Sequence, residues 1–366
     1  MPHDLVIRGG HVADGLGADP IEADVAVDRG TIVGVGAVPE RGREEVDAAG
    51  LLVTPGFVDI HTHYDGQATW DARLAPSSWH GVTTVVMGNC GVGFAPVRPD
   101  AHDRLISLME GVEDIPGSVL HEGIDWTWES FAGYLDALET KPHDIDFCAQ
   151  LPHGALRLYV MGERAARLEE ATEEDALVMR SLATEALRAG AIGFTTSRTL
   201  NHRTSTGDPT PSLKASSAEL EAIAQGVADA GHGVIELISD FHPDPESEFA
   251  MIRGLVERLA GNVAVGRIHD ERVDGALESE HESDGPGCHL ALDRQPVGRR
   301  LLNFPQQIAP RLGPLMALRQ RQRERTTGAL DEAPDHGELG LGIGMEVRDQ
   351  LYHTVSGVGH TLCNGL

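Results

Sequence analysis

Positive charge is scarce in this chain. Its 366 residues contain 29 lysines and arginines against 57 acidic residues, which gives a formal net charge of −28. Nucleic acids and anionic membrane surfaces are bound through clustered basic side chains. The composition therefore argues against nucleic acid and membrane as partners.

Cysteine and long apolar runs are scarce as well. The four cysteines form no Cys-x-x-Cys pair, so the sequence predicts no disulfide framework and fits a reducing compartment. No segment approaches the ~20 apolar residues of a membrane span. The first ten residues lack the basic start and apolar run of a signal peptide. We therefore expect a cytoplasmic protein.

Glycine, in contrast, is abundant at 43 residues, and the first 54 residues consist of short alternating runs and turns. Residues 4–8, 23–27 and 31–35 are predicted strands. Asp28-Arg29-Gly30 between the last two is typical of a hairpin. Residues 1–54 are therefore predicted to form a small antiparallel β module.

From residue 55 onward, strands and helices alternate. Helices are predicted over 171–189 and 217–230: the first opens with the cap Thr172 and the second with Ser217 and Glu219, and each is followed by glycine. Strand followed by helix at this rhythm predicts a parallel sheet, and six such units favour an α/β fold of the (β/α)8 TIM-barrel type. The predicted strands are 57–60, 83–87, 145–149, 191–195, 234–238 and 262–265. After residue 266 no seventh or eighth strand is evident, so the predicted barrel is incomplete.

Two histidines follow the first predicted barrel strand. In Phe57-Val58-Asp59-Ile60-His61-Thr62-His63, the spacing of two directs both imidazoles to the same side. Neutral imidazole is a preferred zinc ligand, and active sites of barrels lie at the carboxyl ends of their strands. The pair is predicted to bind a metal; the alternative is two histidines satisfied within a turn.

Cys90 follows the second predicted strand, within Gly88-Asn89-Cys90-Gly91. It lies at the same end of the barrel as the histidine pair, and a thiolate is a good ligand for zinc. The alternative is a buried free cysteine that acts as a small apolar residue. We predict a metal site formed by His61, His63 and Cys90.

These motifs resemble those of the amidohydrolase superfamily, and more narrowly of the N-acyl-D-amino-acid deacylases (D-aminoacylases). The resemblance covers about residues 4–260 and includes Leu108–Gly117, 152–157 and 193–198. Residues 55–265 are similar to the first six barrel units of that family, whereas residues 266–366 match it poorly.

The resemblance implies a zinc-dependent hydrolase that cleaves the amide bond of small N-acyl-D-amino acids. It assigns the metal to His61 and His63, with Cys90 in place of the carbamylated lysine of other amidohydrolases. The two lysines, Lys141 and Lys214, do not follow predicted strands, which agrees with this assignment.

Three family features are missing or altered. The fifth strand carries no histidine, and Glu236 is either a substitute ligand or a buried acid. His269, after the sixth strand, is a further candidate ligand with unmatched flanks. No Ser-Asp turn is found where the family's proton-shuttling aspartate would follow the eighth strand, so the catalytic base is not identified.

Four residues near the predicted strand ends are candidates for substrate binding. A carboxylate such as Asp65 often orients a metal-bound histidine, and arginine clamps carboxylates through two hydrogen bonds. Structural alternatives are a turn cap for the acid and ordinary ion pairs for the basic residues. The candidates are Asp65, His153, Arg157 and Arg198.

Three functions are consistent with the sequence. The first is hydrolysis of N-acyl-D-amino acids; the second is hydrolysis of another N-acyl or cyclic amide substrate. The third is a truncated, catalytically impaired paralogue. Because the tail does not match the family's β module, we expect an unpaired sheet edge and a chain that dimerises or aggregates. We also expect activity far below that of an intact relative.

Overall fold

The N-terminal β module forms a single mixed sheet. The computed structural model describes residues 2–241 and 243–259, together with the backbone of a strand at 263–266. The module sheet has the strand order β3-β2-β1-β4, with β5 also paired to β1. Its strands are β1 (His3–Val12), β2 (Ile21–Asp28), β3 (Thr31–Gly36), β4 (Gly42–Asp47) and β5 (Leu52–Val53).

The prediction of a purely antiparallel module is wrong at one edge. Strands β1, β2 and β3 pair antiparallel as expected, but β4 and β5 run parallel to β1. After β3 the chain does not form a hairpin beside that strand. It passes to the opposite edge of the sheet, where β4 pairs with β1. Arg8 holds this crossing segment, because its guanidinium donates to the carbonyl oxygen of Glu40 (2.6 Å) and pairs with Asp24 (3.0 Å).

The six predicted barrel units are present, and all their described strand pairings are parallel. Only Gln150 separates β8 from β9, so these two short strands together form the third unit. The strands are β6 (Phe57–Asp59), β7 (Val82–Met87), β8 (Asp146–Ala149), β9 (Leu151–Pro152), β10 (Gly193–Arg198), β11 (Val234–Ser239) and β12 (Val263–Gly266).

In the sequence, helices connect these strands, and both predicted helices are found. The capping box between Thr172 and Asp175 starts α6, and Ser216 caps α7 through the backbone amide of Glu219. The helices are α1 (His102–Glu113), α2 (Gly117–Gly123), α3 (Phe131–Glu139), α4 (His153–Met161), α5 (Glu163–Ala166), α6 (Glu173–Ala189), α7 (Ser217–Ala230) and α8 (Pro245–Arg258).

The main hydrophobic core lies between the strands and these helices. Phe194 on β10, Leu237 on β11 and Leu187 on α6 are among its fully buried side chains. Burying a side chain of this size contributes roughly 1.5–3 kcal/mol. The packed core fixes the carboxyl ends of neighbouring strands relative to one another, and the candidate site lies there. The domain limits 1–54, 55–265 and 266–366 stay a prediction.

Candidate metal site

Two neighbouring strand ends bring the three predicted ligands together. His61 and His63 follow β6, and Cys90 follows β7. Each residue offers one ligand atom, and these atoms lie within 4.8 Å of one another. Sγ of Cys90 and Nε2 of His61 are 3.3 Å apart. The structure thus assembles the cluster that the sequence predicts.

Cys90 reaches this position through an unusual backbone conformation. It lies in a 3-10 turn at Asn89–Gly91 and has a φ of +54°. A left-handed conformation costs a residue with a Cβ roughly 1–3 kcal/mol, and such residues concentrate at functional sites. The side-chain amide of Asn89 donates to the carbonyl oxygens of Thr62 and Val86, both at 2.9 Å, and so ties the two strand ends together.

A carboxylate contacts each histidine of the pair. Oε1 of Glu236, on β11, lies 3.0 Å from Nδ1 of His61. Oε2 of Glu113, the last residue of α1, lies 3.2 Å from Nε2 of His63. Glu236, which the sequence leaves open as a substitute ligand or a buried acid, contacts the ring nitrogen of His61 that faces away from the thiol contact. Metal-binding histidines commonly have a carboxylate at this position.

Sequence reasoning missed Glu113. It lies 23 residues after Cys90, at the end of a helix and not at the end of a strand. The stretch around it contributed to the family resemblance, but no metal-ligand spacing connects it to the histidine pair. Only the packing of α1 against the strand ends brings its carboxylate to the cluster.

Burial and mutual repulsion shape the titration of these groups. Burial lowers the pKa of His63 to about 3, so this imidazole is neutral and able to bind a metal. Burial raises the pKa of Glu113 to about 7. It also raises the pKa of the Cys90 thiol, and the charges of Glu113 and Glu236 raise it further. A cation among these groups would have the opposite effect on both acids and thiol.

The cluster fits a zinc ion. The donor set of two imidazoles and a thiol is one that zinc prefers, and a buried nitrogen, Nδ1 of His63, has no hydrogen-bond partner among the described atoms. Two donors of one tetrahedral zinc lie roughly 3.3–3.8 Å apart, so the 3.3 Å contact of Cys90 with His61 already matches. Lys141, in contrast, contacts Thr69 and Asp125, and does not take part in the cluster.

Asp65 is buried close to the cluster. Its side chain is 2% exposed, and burial raises the pKa of its carboxyl to about 7, although the backbone amide of Gly88 donates to it. Tyr134 donates its hydroxyl to the carbonyl oxygen of Asp65 at 2.8 Å. Besides burial, the charge of Asp65 raises the pKa of the Cys90 thiol. Both roles considered for Asp65, orienting a histidine and contacting the substrate, stay predictions.

In the described structure, the side chains of His153 and Arg157 are buried and paired with an acid. Both are completely buried on α4, where Nε2 of His153 lies 2.8 Å and Nε of Arg157 3.4 Å from Oε1 of Glu219 on α7. Thr196 Oγ1 contacts the other ring nitrogen of His153 at 2.7 Å. These contacts do not support the prediction of substrate binding, because neither side chain has surface left for a ligand.

The remaining predicted residues differ in accessibility. Arg198 forms a two-point ion pair with Glu248 (2.7 and 3.0 Å), and 21% of its side chain is exposed. Four residues later, burial lowers the pKa of His202 to about 4, and its Nδ1 lies 2.8 Å from Oγ of Ser197. His269, a predicted ligand, lies outside the described residues.

Residues 44–295 match the amidohydrolase family, and the chain belongs to this family. Its curated relatives include the D-aminoacylase of Alcaligenes xylosoxydans xylosoxydans, 37% identical over 197 residues, which are 54% of this chain and 38% of that protein. The N-acyl-D-glutamate deacylase of the same organism is 34% identical over 231 residues, or 62% of this chain and 42% of that protein. The matched region thus spans about two fifths of the length of these relatives.

Solved structures agree with this assignment. A D-aminoacylase with a binuclear metal centre has a TM-score of 0.58 at 28% identity, over 76% of this chain and 57% of that one. The N-acyl-D-glutamate deacylase of Bordetella bronchiseptica, complexed with zinc and a phosphonate mimic of the tetrahedral intermediate, has a TM-score of 0.54 at 27% identity, over 70% and 50%. The family resemblance and the TIM-barrel type of fold, predicted from sequence motifs, are confirmed. Within residues 2–241 and 243–259, no helix has the length and apolar character to cross a membrane.

Proposed function

We propose that this protein is a zinc-dependent hydrolase that cleaves the amide bond of small N-acyl-D-amino acids. The observation that carries the proposal is the convergence of His61, His63 and Cys90 within 4.8 Å at two neighbouring strand ends. The named activities of the relatives, on N-acyl-D-glutamate and N-acyl-D-aspartate among others, support the substrate class.

The chain's own residues would hold and orient the metal. Zinc bound here would polarise the scissile carbonyl and lower the pKa of a coordinated water. Neutral His63 and the Cys90 side chain would be donors, and Glu236 would fix the ring of His61 through Nδ1. Asn89 would keep the two strand ends, and hence the donors, at a constant separation.

Substrate recognition and proton transfer involve further groups. Among the predicted substrate contacts, Arg198 is partly exposed, but its guanidinium is occupied by the carboxylate of Glu248 and the carbonyl oxygen of Ala215. Contact of Arg198 with the substrate would require Glu248 to give way, and it stays a prediction. The family resemblance places a proton-shuttling acid after the eighth strand; that part of the sequence lies outside the described residues, and no catalytic base is assigned.

The experiment is an activity assay combined with metal analysis of the full chain. We expect the zinc-loaded protein to release amine from N-acetyl-D-amino acids faster than from the L enantiomers, and to lose this activity in a chelator until zinc is restored. The double variant His61→Ala with Cys90→Ala should contain no zinc, whereas the control Cys148→Ala should retain it. Full zinc content in the double variant, or turnover that survives the chelator, would refute the proposed function.

A further inference from the structure

The turn that carries Cys90 is strained on its own. Three of the four residues 88–91 have a positive φ: +83° at Gly88, +54° at Cys90 and +70° at Gly91. Glycine accepts this conformation readily, whereas Cys90 has a Cβ and is disfavoured in it. The position of the thiol therefore depends on contacts between this turn and the elements packed around it.

Strand β10 lies directly against the turn. A Cβ at Gly91 would be 3.1 Å from the backbone nitrogen of Ser197 and 3.2 Å from Cα of Thr196, so the two backbones touch. Helix α4 approaches as closely, since a Cβ at Gly154 would be 2.8 Å from the carbonyl oxygen of Gly91. Side chains of β10 can therefore act on the backbone around Cys90.

Thr195 of β10 binds the turn on both sides of Cys90. The backbone amide of Gly91 donates to Oγ1 of Thr195 at 3.0 Å, and the hydroxyl of Thr195 donates to the carbonyl oxygen of Gly88. The side chain is fully buried. One hydroxyl oxygen can accept and donate at the same time, whereas valine, which has the same shape, can do neither.

Thr195 also lies beside the residue that contacts His61. In the parallel pairing of β10 with β11, the register partner of Thr195 is Glu236. Register partners on neighbouring parallel strands project their side chains from the same face of the sheet. One position of the sheet thus contacts His61 through Glu236 and the backbone around Cys90 through Thr195.

We propose that Thr195 is a positioning residue for Cys90, whose hydroxyl keeps the turn in the conformation that directs Sγ towards Nε2 of His61. The inference rests on the proposed function, in which Cys90 is a zinc donor. The 3.3 Å between these two atoms is the separation of two donors of one tetrahedral ion. Thr195 adds no ligand, so three protein donors leave the fourth position of a catalytic zinc to water or substrate.

The substitution that tests this is Thr195→Val, which removes the hydroxyl and keeps the shape. The control is Thr196→Val, the same change at the next residue of β10, which is also fully buried but contacts Nδ1 of His153 at 2.7 Å. Thr195→Ser, which retains the hydroxyl, is the rescue variant. Thermal melts in chelator verify folding, and Thr195→Ala replaces Thr195→Val if the latter does not fold.

Two measurements are made on each variant of the full chain. Zinc affinity is determined by competition with a chromophoric chelator. The exposure of the thiol is determined in the metal-free protein from the rate of alkylation by iodoacetamide, with the peptides of Cys90 and Cys148 quantified separately by mass spectrometry. The second measurement requires neither metal nor turnover.

We expect Thr195→Val to lower zinc affinity about 10–100-fold, the effect typical of a residue that acts through a ligand. Alkylation of Cys90, which is 7% exposed, should become about tenfold faster, because the loss of two hydrogen bonds makes local opening of the turn more frequent. Cys148 should react at an unchanged rate. Thr195→Ser and Thr196→Val should match the wild type in both measurements.

Three results would overturn the assignment. Equal zinc affinity and equal alkylation of Cys90 in Thr195→Val and Thr196→Val would give the hydroxyl of Thr195 no specific role at the thiol. A loss in Thr195→Ser as large as that in Thr195→Val would show that the methyl group matters and not the hydroxyl. Both results leave the proposed function intact, whereas absence of zinc binding in the wild type would refute that function and the role of Thr195 in metal binding with it.

Discussion

Oε1 of Glu236 and Nδ1 of His61 are 3.0 Å apart, and this contact connects the fifth barrel unit to the first. The hydrogen bond from the imidazole to the carboxylate raises the pKa of His61 and fixes which ring nitrogen carries the proton. Nε2 then faces the thiol of Cys90 with its lone pair.

Loss of the Glu236 carboxylate should weaken metal binding without abolishing it. We expect Glu236→Gln to lower zinc affinity about 10–100-fold, since partners that orient a ligand typically contribute that much. The control is Glu221→Gln on α7, where the carboxylate is 48% exposed and pairs with Arg258 at the surface. Equal zinc affinities for the two variants would contradict an orienting role of Glu236.

The turn that carries Cys90 should be sensitive to a single methyl group at Gly88. This glycine has a φ of +83°, and a Cβ there would lie 2.3 Å from the carbonyl oxygen of Gln150. Gly50 has a similar φ of +73° but open space around it. We expect Gly50→Ala to cost about 1–2 kcal/mol from backbone strain, and Gly88→Ala clearly more because backbone must move. Urea unfolding measures both, and comparable losses would show that the contact with Gln150 does not matter.

The buried contacts around Glu219 should contribute strongly to stability. Glu219→Ala would leave Arg157 charged and without its partner in the core, which typically costs about 3–5 kcal/mol. For the exposed pair of Arg180 with Asp229, Asp229→Ala should cost less than about 1 kcal/mol. Chemical denaturation of the two variants provides the comparison, and a small loss for Glu219→Ala would argue against a structural role.

Mild acid should destabilise the metal-free protein through His202. Burial lowers the pKa of this histidine from 6.5 to about 4, so the folded state favours the neutral ring. Its contribution to stability is therefore complete above pH 6.5 and is lost as the pH falls from 6.5 towards 4. We expect the urea midpoint to fall less between pH 7 and pH 5 in His202→Gln than in the wild type. An identical fall in both proteins would rule His202 out as the cause.

Strand pattern and strand-end chemistry could be predicted from the sequence because both are local. Apolar runs separated by capped helices located six parallel units, and side chains that follow adjacent parallel strands must lie near one another, which brought Cys90 to His61. The parallel edge of the N-terminal sheet was not predictable in this way, since a crossing segment held by Arg8 has no periodic signature.

Contacts between residues far apart in the sequence were the ones that the sequence could not indicate. His153 and Arg157 follow a strand, like the histidine pair, but α4 begins at once and turns both side chains towards Glu219 in the core. Glu113 comes from the opposite end of a helix, and only tertiary packing reveals its contact with His63. Residue type and spacing cannot distinguish these cases. The direction in which each side chain points relative to the sheet decides whether it reaches the candidate site or the core.

The three predicted metal donors are synthesised long before Glu236, the carboxylate that orients His61. His61 and Cys90 leave the ribosome 29 residues apart, whereas Glu236 follows His61 after 175 residues (236 − 61). The carboxylate can reach His61 only when β11 has joined the parallel sheet, and pairing between such distant segments is slow. All three donor side chains therefore exist in the nascent chain before the ring of His61 can be fixed, which makes that fixation a late step of folding.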